Sequence, residues 1–289
     1  MRGVSGSGKT TLAKRLRGVR ISRDDIRAEL SGRTDKFVGD NSFESRVSKV
    51  QQDRVRQALV SRQDVVIDDT NLTLKFARNW ANMANDYGAK FKVIDLKVDL
   101  GTLLSRSDIP EEAVKRQFQR ACWDEVVADS DHPFVDWSPL EYDPKLPTII
   151  TCDLDGTLAI LAEGYSPYDP KHYQHDTYCE AVVKVLDRFS CDEIHFMSGR
   201  DERGREVTEW WLGGLDFDGD NLHMRKAGDK RRDDVVKVEM VNENIRGKYN
   251  ILFHMDDRSR VVDALRAIGV TVFQVADGGF SCSTLEVRP

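Results

Sequence analysis

Thr148-Ile149-Ile150-Thr151-Cys152-Asp153-Leu154-Asp155-Gly156-Thr157-Leu158 is an apolar run that stops at two carboxylates and a glycine. A short apolar run closed by turn residues reads as a buried strand of a parallel sheet, and open α/β sheets take their ligands beyond the carboxyl ends of such strands. Strands of the same character follow at Glu193-Ile194-His195-Phe196-Met197, Ile251-Leu252-Phe253 and Val270-Thr271-Val272-Phe273. Two more precede it, at Val65-Val66-Ile67 and Lys92-Val93-Ile94-Asp95-Leu96. Helical patterns lie between: over 45–60, Val47, Val50, Val55, Ala58 and Leu59 fall near helical spacing and leave Arg46, Lys49, Arg54 and Arg56 for a solvated face. The alternation predicts an α/β chain of two domains, each on a mostly parallel sheet.

The strand ends carry groups suited to phosphate chemistry. Asp153 is placed to act as an ionised nucleophile toward phosphorus, forming an aspartyl-phosphate. Asp155 can protonate the leaving alkoxide and then activate water, provided that negative charge or burial lifts it from the usual value of about 3.9. Such acid–base work is worth about 10² to 10⁴ in rate. Phe196-Met197-Ser198-Gly199-Arg200 offers the Ser198 hydroxyl and local N–H groups to phosphoryl oxygens. Arg231-Arg232-Asp233-Asp234-Val235-Val236-Lys237 brings Lys237 to neutralise nucleophile and phosphate together. In Phe253-His254-Met255-Asp256-Asp257-Arg258 the paired carboxylates suit Mg²⁺, giving Asp153, Asp155, Asp256 and Asp257 as the expected metal set. Each segment alone also reads as a strand-end turn or a surface charge cluster.

A second phosphate motif lies at the other end. Gly3-Val4-Ser5-Gly6-Ser7-Gly8-Lys9-Thr10 matches G-x-x-x-x-G-K-[ST], whose backbone N–H groups close around phosphate oxygens. Gly3, Ser5, Gly6, Ser7, Gly8, Lys9, Thr10 and Thr11 are the expected nucleotide-binding set. Lys9 would reach the β/γ-phosphates of ATP and Thr10 would offer its hydroxyl to Mg²⁺, at the positive end of the helix that continues from Thr11. No N-K-x-D guanine-reading motif is present. Ile21-Ser22-Arg23-Asp24-Asp25-Ile26-Arg27 puts Asp24 and Arg27 near one face of a helix. That suits a hydroxyl acceptor, with Asp24 taking the proton and Arg27 holding a neighbouring phosphate. Asp24 as a helix cap, with Arg27 solvated, fits equally well. In Asp68-Asp69-Thr70-Asn71, Asp69 orients Lys9 or the metal's hydration shell, or belongs to an ordinary turn.

The 289 residues suffice for two domains, and 40% hydrophobic with 32% charged residues describes globular material. No apolar stretch approaches the roughly 20 residues that span a membrane, and Met1-Arg2-Gly3 leaves no room for a secretory signal, so a cytoplasmic protein without a membrane partner is expected. Prolines at 133, 139, 144 and 147 mark 131–147 as a linker between domains at 1–138 and 148–289. A net charge of −6 means that a polynucleotide would need a local basic channel. The five cysteines (Cys122, Cys152, Cys179, Cys191, Cys282) form no C-x-x-C pair, and His172, His175, His195 and His254 are not spaced as metal ligands. Trp210-Trp211 reads as core packing ahead of base stacking.

In this order, the G-x-x-x-x-G-K-T, Ser-Arg-Asp-Asp-Ile-Arg and Asp-Asp-Thr-Asn segments resemble the 5'-kinase domain of phage-type polynucleotide kinase/3'-phosphatases. The D-x-D-G-T-L of Asp153 to Leu158 is similar to the signature of haloacid-dehalogenase-type phosphatases. Ser-Gly-Arg, Arg-Asp-Asp-Val-Val-Lys and Asp-Asp-Arg resemble the phosphatase half of the same phage enzymes, so the likeness covers nearly the whole chain. Relatives have a full strand before the loop and a longer connection after its helix, where this sequence has Met1-Arg2 and Arg17-Gly18-Val19. The resemblance implies Asp24 as general base for a polynucleotide 5'-OH, Arg27 on the adjoining phosphate, and Arg106 as the first arginine of a lid over the ATP phosphates. No second lid arginine is assignable after Ser107-Asp108. It also implies Arg200 and Arg258 as site residues, ATP and Mg²⁺ as cofactors, DNA or RNA ends as substrate, a functional link to a ligase, and a homo-oligomer as a family habit. The rival is a fused small-molecule kinase/phosphatase acting on a sugar or nucleoside, because both folds host many substrates.

Overall fold

The computed structural model describes residues 1–33, 39–165 and 170–277. Cys282 and the last residues of the expected second domain lie outside them. The chain divides into two compact units, Met1–Val135 and Asp136–Pro289.

The first unit contains α1 (Lys9–Ala13), β1 (Val19–Ile21), α2 (Arg23–Ser31), α3 (Asn41–Val60), β2 (Val65–Ile67), α4 (Leu74–Asp86), α5 (Leu100–Arg106) and α6 (Glu111–Arg120). β1 and β2 pair in parallel, Val19 to Val65 through Ile21 to Ile67. Beside them runs Met1–Gly3, whose terminal ammonium donates to the Ile67 carbonyl at 3.0 Å, and beyond it the segment around Asp95. The strand expected over 92–96 reduces to one bridge, Arg2 to Asp95, because its neighbour turns into the glycine loop directly after Arg2. Arg2 fixes that rung by a two-pronged ion pair with Asp95, at 2.7 and 2.9 Å. α3 begins four residues before its apolar periodicity because Asp40 caps it, accepting from the Phe43 amide at 2.8 Å. Val47, Val55 and Ala58 form its buried side.

The second unit has a five-stranded sheet in the order β7 (Leu222–Arg225), β6 (Ile194–Asp201), β3 (Thr148–Cys152), β8 (Asn250–Asp256), β9 (Val272–Gln274). All four pairings are parallel. A small antiparallel pair, β4 (Ala159–Ile160) and β5 (Thr177–Tyr178), stands after β3. The helices are α7 (Glu180–Leu186), α8 (Arg205–Gly213), α9 (Asp233–Asn244) and α10 (Ser259–Ala267). β3 is central: Ile150, Cys152 and Leu154 pack with Phe196, Leu212 and Met255 in one core. The register sets Cys152 opposite both Phe196 and Met255, which aligns Asp153 with Asp256 at the carboxyl edge.

The stretch read as a linker is fastened at both ends. Val135 and Trp137 are buried; Val135 bonds to the Asn85 carbonyl within the first unit, and Leu140 to the Ile268 carbonyl within the second. Trp211 packs in the core as expected, but Trp210 is 67% exposed, since adjacent residues of α8 point to different faces. Among the described residues no helix is long and apolar enough to cross a membrane.

Candidate active sites

Gly8 is left-handed (φ 87°) and α1 starts at Lys9 immediately after it. Gly6 is left-handed too (φ 85°), and a Cβ there would stand 3.0 Å from the Leu103 carbonyl oxygen, so two turns of the loop require glycine. Gly3 and Ser7 lie under the loop: the Gly3 amide bonds to the Thr70 carbonyl at 3.0 Å and Ser7 is buried. Apart from Ser7, the loop from Ser5 to Thr11 lines a cavity of about 1180 Å³ whose other walls include Asp24, Arg27, Asp69 and Arg106. Lys9 donates to the Val4 carbonyl at 2.9 Å. Among the described residues of this wall no second arginine follows Arg106; Gln117 of α6 stands there, accepting from the Ser5 amide at 2.9 Å.

Ser22, not Asp24, caps α2, accepting from the Asp24 amide at 3.2 Å. That leaves the Asp24 carboxylate to pair with Arg27 at 2.6 Å, largely exposed on the cavity side. Arg27 is held from behind by Glu44 of α3 in a two-pronged contact (2.9 and 2.8 Å), and Glu44 also takes Arg23 at 2.8 Å. These hydrogen bonds, Arg27's first, pull the Glu44 carboxyl down to about 2. Sequence reading missed Glu44 because nothing local ties a mid-sequence glutamate to a motif 17 positions away.

The strand-end acids divide their work differently from the expectation for Asp69. Asp68 faces the loop: it accepts from the Thr10 hydroxyl at 3.3 Å and from Arg20 at 2.6 Å. Asp69 instead secures α2, accepting from the Arg23 amide at 3.0 Å and from Gln51, and its burial raises its proton affinity. Both acids lie just past the end of β2 at Ile67, and they turn to different partners there.

In the second unit Lys237 lies one helical turn into α9, 2.6 Å from Asp153 and 2.7 Å from Asp256, and it is almost wholly buried. Oxygens of Asp153, Asp256 and Asp257 fall within 4.8 Å of one another. Against its own burial, Lys237 is held charged by Asp153 and Asp256. One ammonium between two acids serves them unequally. Asp256 stays below the usual carboxylate range despite burial, because Lys237 and His254 both attend it, whereas burial, with Asp256 and Asp257 nearby, pushes Asp153 well up. Burial beside Asp256 lifts Asp257 to about 6. His254, unassigned by its spacing, links the Thr151 hydroxyl (2.8 Å) to Asp256 (3.1 Å) and so orients that acid.

The Asp155 carboxylate does not belong to this group, which corrects its place in the expected metal set. Arg200 grips it through Nε at 3.0 Å and Nη2 at 2.6 Å, while Nη2 also donates to Asp176 at 2.7 Å. Arg200 is fully buried and stacks on Tyr173, 4.0 Å from the ring centroid. Asp176 is fixed in turn by His172. Arg200 is therefore a residue that positions Asp155, with its own Nη1 unpartnered among the described residues. Ser198 is buried on β6 and its Oγ accepts from the Arg200 amide at 3.1 Å. Arg258 turns to Asp233 on α9, a carboxylate it shares with Arg225 and Arg260.

Three buried hard-oxygen donors suit Mg²⁺, and the backbone is cut to let them meet. Gly156 has φ 90°, and a Cβ on it would lie 2.6 Å from Asp257 Oδ2. Asp257 Oδ1 is itself buried without a partner among the described residues.

Fold and sites together define a P-loop domain joined to an α/β domain whose sheet edge gathers three acids around a buried lysine. Residues 1–132 match the family model of an AAA domain, and residues 147–280 match that of the polynucleotide kinase PNKP phosphatase domain. The chain thus pairs an AAA-type domain with a phosphatase domain of the polynucleotide kinase PNKP type. It is 30% identical to a protein of Autographa californica nuclear polyhedrosis virus named, by inference, a bifunctional polynucleotide kinase/RNA ligase. That match takes in 94% of this chain but 41% of the viral protein, so the chain spans about two fifths of that relative's length. Chains from two solved Pnkp1/Rnl/Hen1 structures, one titled as an RNA repair complex, are 29% and 30% identical. Those matches span 96% of this chain and 94% and 95% of theirs, each with a TM-score of 0.47.

Proposed function

We propose that the chain heals nucleic-acid ends, transferring the γ-phosphate of ATP to a polynucleotide 5'-OH and removing a 3'-phosphate. The observation that carries this is the cavity in which the Lys9 loop and the Asp24–Arg27 pair face the same space, in a chain whose other unit matches a polynucleotide phosphatase domain.

For the kinase step, Asp24 takes the proton of the 5'-OH, whose oxygen bonds to the γ-phosphorus as the bond to the β–γ bridging oxygen breaks and ADP leaves. Arg27, braced by Glu44, holds the phosphate next to the acceptor sugar. Arg106 and the loop amides meet the charge on the transferred group. Thr10, with Asp68 against its hydroxyl, is the position for the cation that accompanies ATP.

For the phosphatase step, an Asp153 oxygen bonds to phosphorus as the ester bond to the sugar breaks, and the leaving oxygen takes a proton from Asp155. Asp155 then takes a proton from water, whose oxygen attacks the aspartyl-phosphate and frees inorganic phosphate. Lys237 offsets the charge of nucleophile and phosphate, Ser198 and the neighbouring amides take phosphoryl oxygens, and Arg200 keeps Asp155 aimed. Asp153, Asp256 and Asp257 would hold Mg²⁺, which supplies the positive charge that keeps Asp153 ionised and neutralises phosphoryl oxygens.

Ends left by these steps are those a ligase joins, and the viral relative's name couples kinase to RNA ligase. The test is incubation with γ-labelled ATP, Mg²⁺ and an oligonucleotide bearing 5'-OH and 3'-phosphate, with both ends analysed. Labelled 5'-phosphate and a free 3'-OH are expected. Phosphorylation of free nucleosides or sugars in place of the oligonucleotide would overturn the reading.

A further inference from the structure

α4 presents a face that the reaction scheme leaves unused. Phe76, Asn79, Trp80 and Met83, spaced i, i+3, i+4 and i+7, line the same cavity as Lys9, Asp24 and Arg27, while Ala77, Ala81 and Ala84 are buried. Phe76 stands in the first turn, 58% exposed, an aromatic ring in a cavity that also presents Lys9, Arg27 and Arg106. The four residues after β2 anchor two helices: Asp69 holds the N-terminus of α2, and the Asn71 side chain accepts from the Trp80 indole at 3.1 Å. α4 and α2, which carry Phe76 and the Asp24–Arg27 pair, are thus both tied to one short strand end beside the cavity.

We infer that Phe76 is the stacking platform for the nucleobase of the 5'-terminal acceptor nucleotide, which makes the kinase site selective for a base-bearing end over a bare sugar. The inference rests on the kinase reading above. Stacking of this kind tolerates any base, since each has a π-face. It supplies what Asp24 and Arg27 lack, because they address the hydroxyl and phosphate that all sugar phosphates share.

The test compares wild type, Phe76→Ala and Phe76→Tyr in the full chain, with ATP and oligonucleotides whose 5'-terminal nucleotide is ordinary or abasic. Phe76→Ala is expected to raise the acceptor KM roughly tenfold with the ATP KM within about twofold of wild type, and Phe76→Tyr to stay near wild type. Deleting the terminal base should cost wild type the same factor and cost Phe76→Ala nothing more. Additive losses would overturn the inference. So would a rise in the ATP KM instead, which would put adenine on the ring. Wild type that labels no oligonucleotide at all defeats the kinase reading itself, a separate outcome.

Discussion

Replacing Lys237 with methionine removes a buried ammonium from between two acids while keeping a chain of similar length, so the change is chiefly one of charge. The ammonium is 2.6 Å from Asp153 and 2.7 Å from Asp256. Taking one partner out of a buried ion pair costs about 3–5 kcal/mol, because the acids left behind are uncompensated. For a domain of this size that lowers the melting temperature by roughly 6 to 20 °C. At the proposed metal site Mg²⁺ would deliver charge to those two acids and to Asp257, so the variant should regain more on adding Mg²⁺ than wild type gains. Acid should help as well: burial already holds Asp153 above the usual carboxylate range, and a raised carboxyl stabilises the fold below its unfolded pKa, an effect lost as pH rises through the folded value. Calorimetry of the full chain in EDTA and in Mg²⁺ gives the shift, and turnover assays should show phosphatase lost with kinase retained. A melting temperature in EDTA within about 2 °C of wild type, or a Mg²⁺ response no larger than wild type's, would refute the charge argument.

Other outcomes follow from the same geometry. Gly156→Ala places a Cβ 2.6 Å from Asp257 Oδ2 at a φ of 90°, and should raise the Mg²⁺ needed for half-maximal phosphatase activity roughly tenfold or more in a metal titration. Because Asp257 is pushed up to about 6, its contribution to metal-free stability declines as pH rises from about 4 to about 6; melting curves in EDTA across that window should flatten in Asp257→Asn. Glu44→Gln frees Arg27 and Arg23, and should raise the acceptor KM roughly tenfold in steady-state kinetics, with the ATP KM and phosphatase rate little changed.

Residues anchored to strand ends and to the glycine loop were readable from sequence because the fold fixes where such ends point. That reading extended to Lys237, whose place one turn into α9 brings it onto Asp153. What escaped it are the groups whose role depends on register and on helices packed across the unit. Asp68, given no role by its sequence, bonds the Thr10 hydroxyl, while Asp69 secures α2, because the turn after β2 decides which of two adjacent acids meets the loop. Asp155 left the metal group because Arg200, fixed by Asp176 and Tyr173, draws it aside. Glu44 and His254 carry no motif of their own; His254 lies two residues before Asp256 on β8, and only strand pairing with Thr151 shows that it steers that acid. The expected strand at 92–96 was apolar enough to form but found a single rung to pair with.

The central claim is two independent phosphate sites in one chain, and single-residue variants separate them most directly. With an oligonucleotide reporting on both ends, Asp153→Asn should leave the 3'-phosphate in place while 5'-labelling continues, and Asp24→Asn should do the opposite. Either substitution silencing both ends would contradict the account.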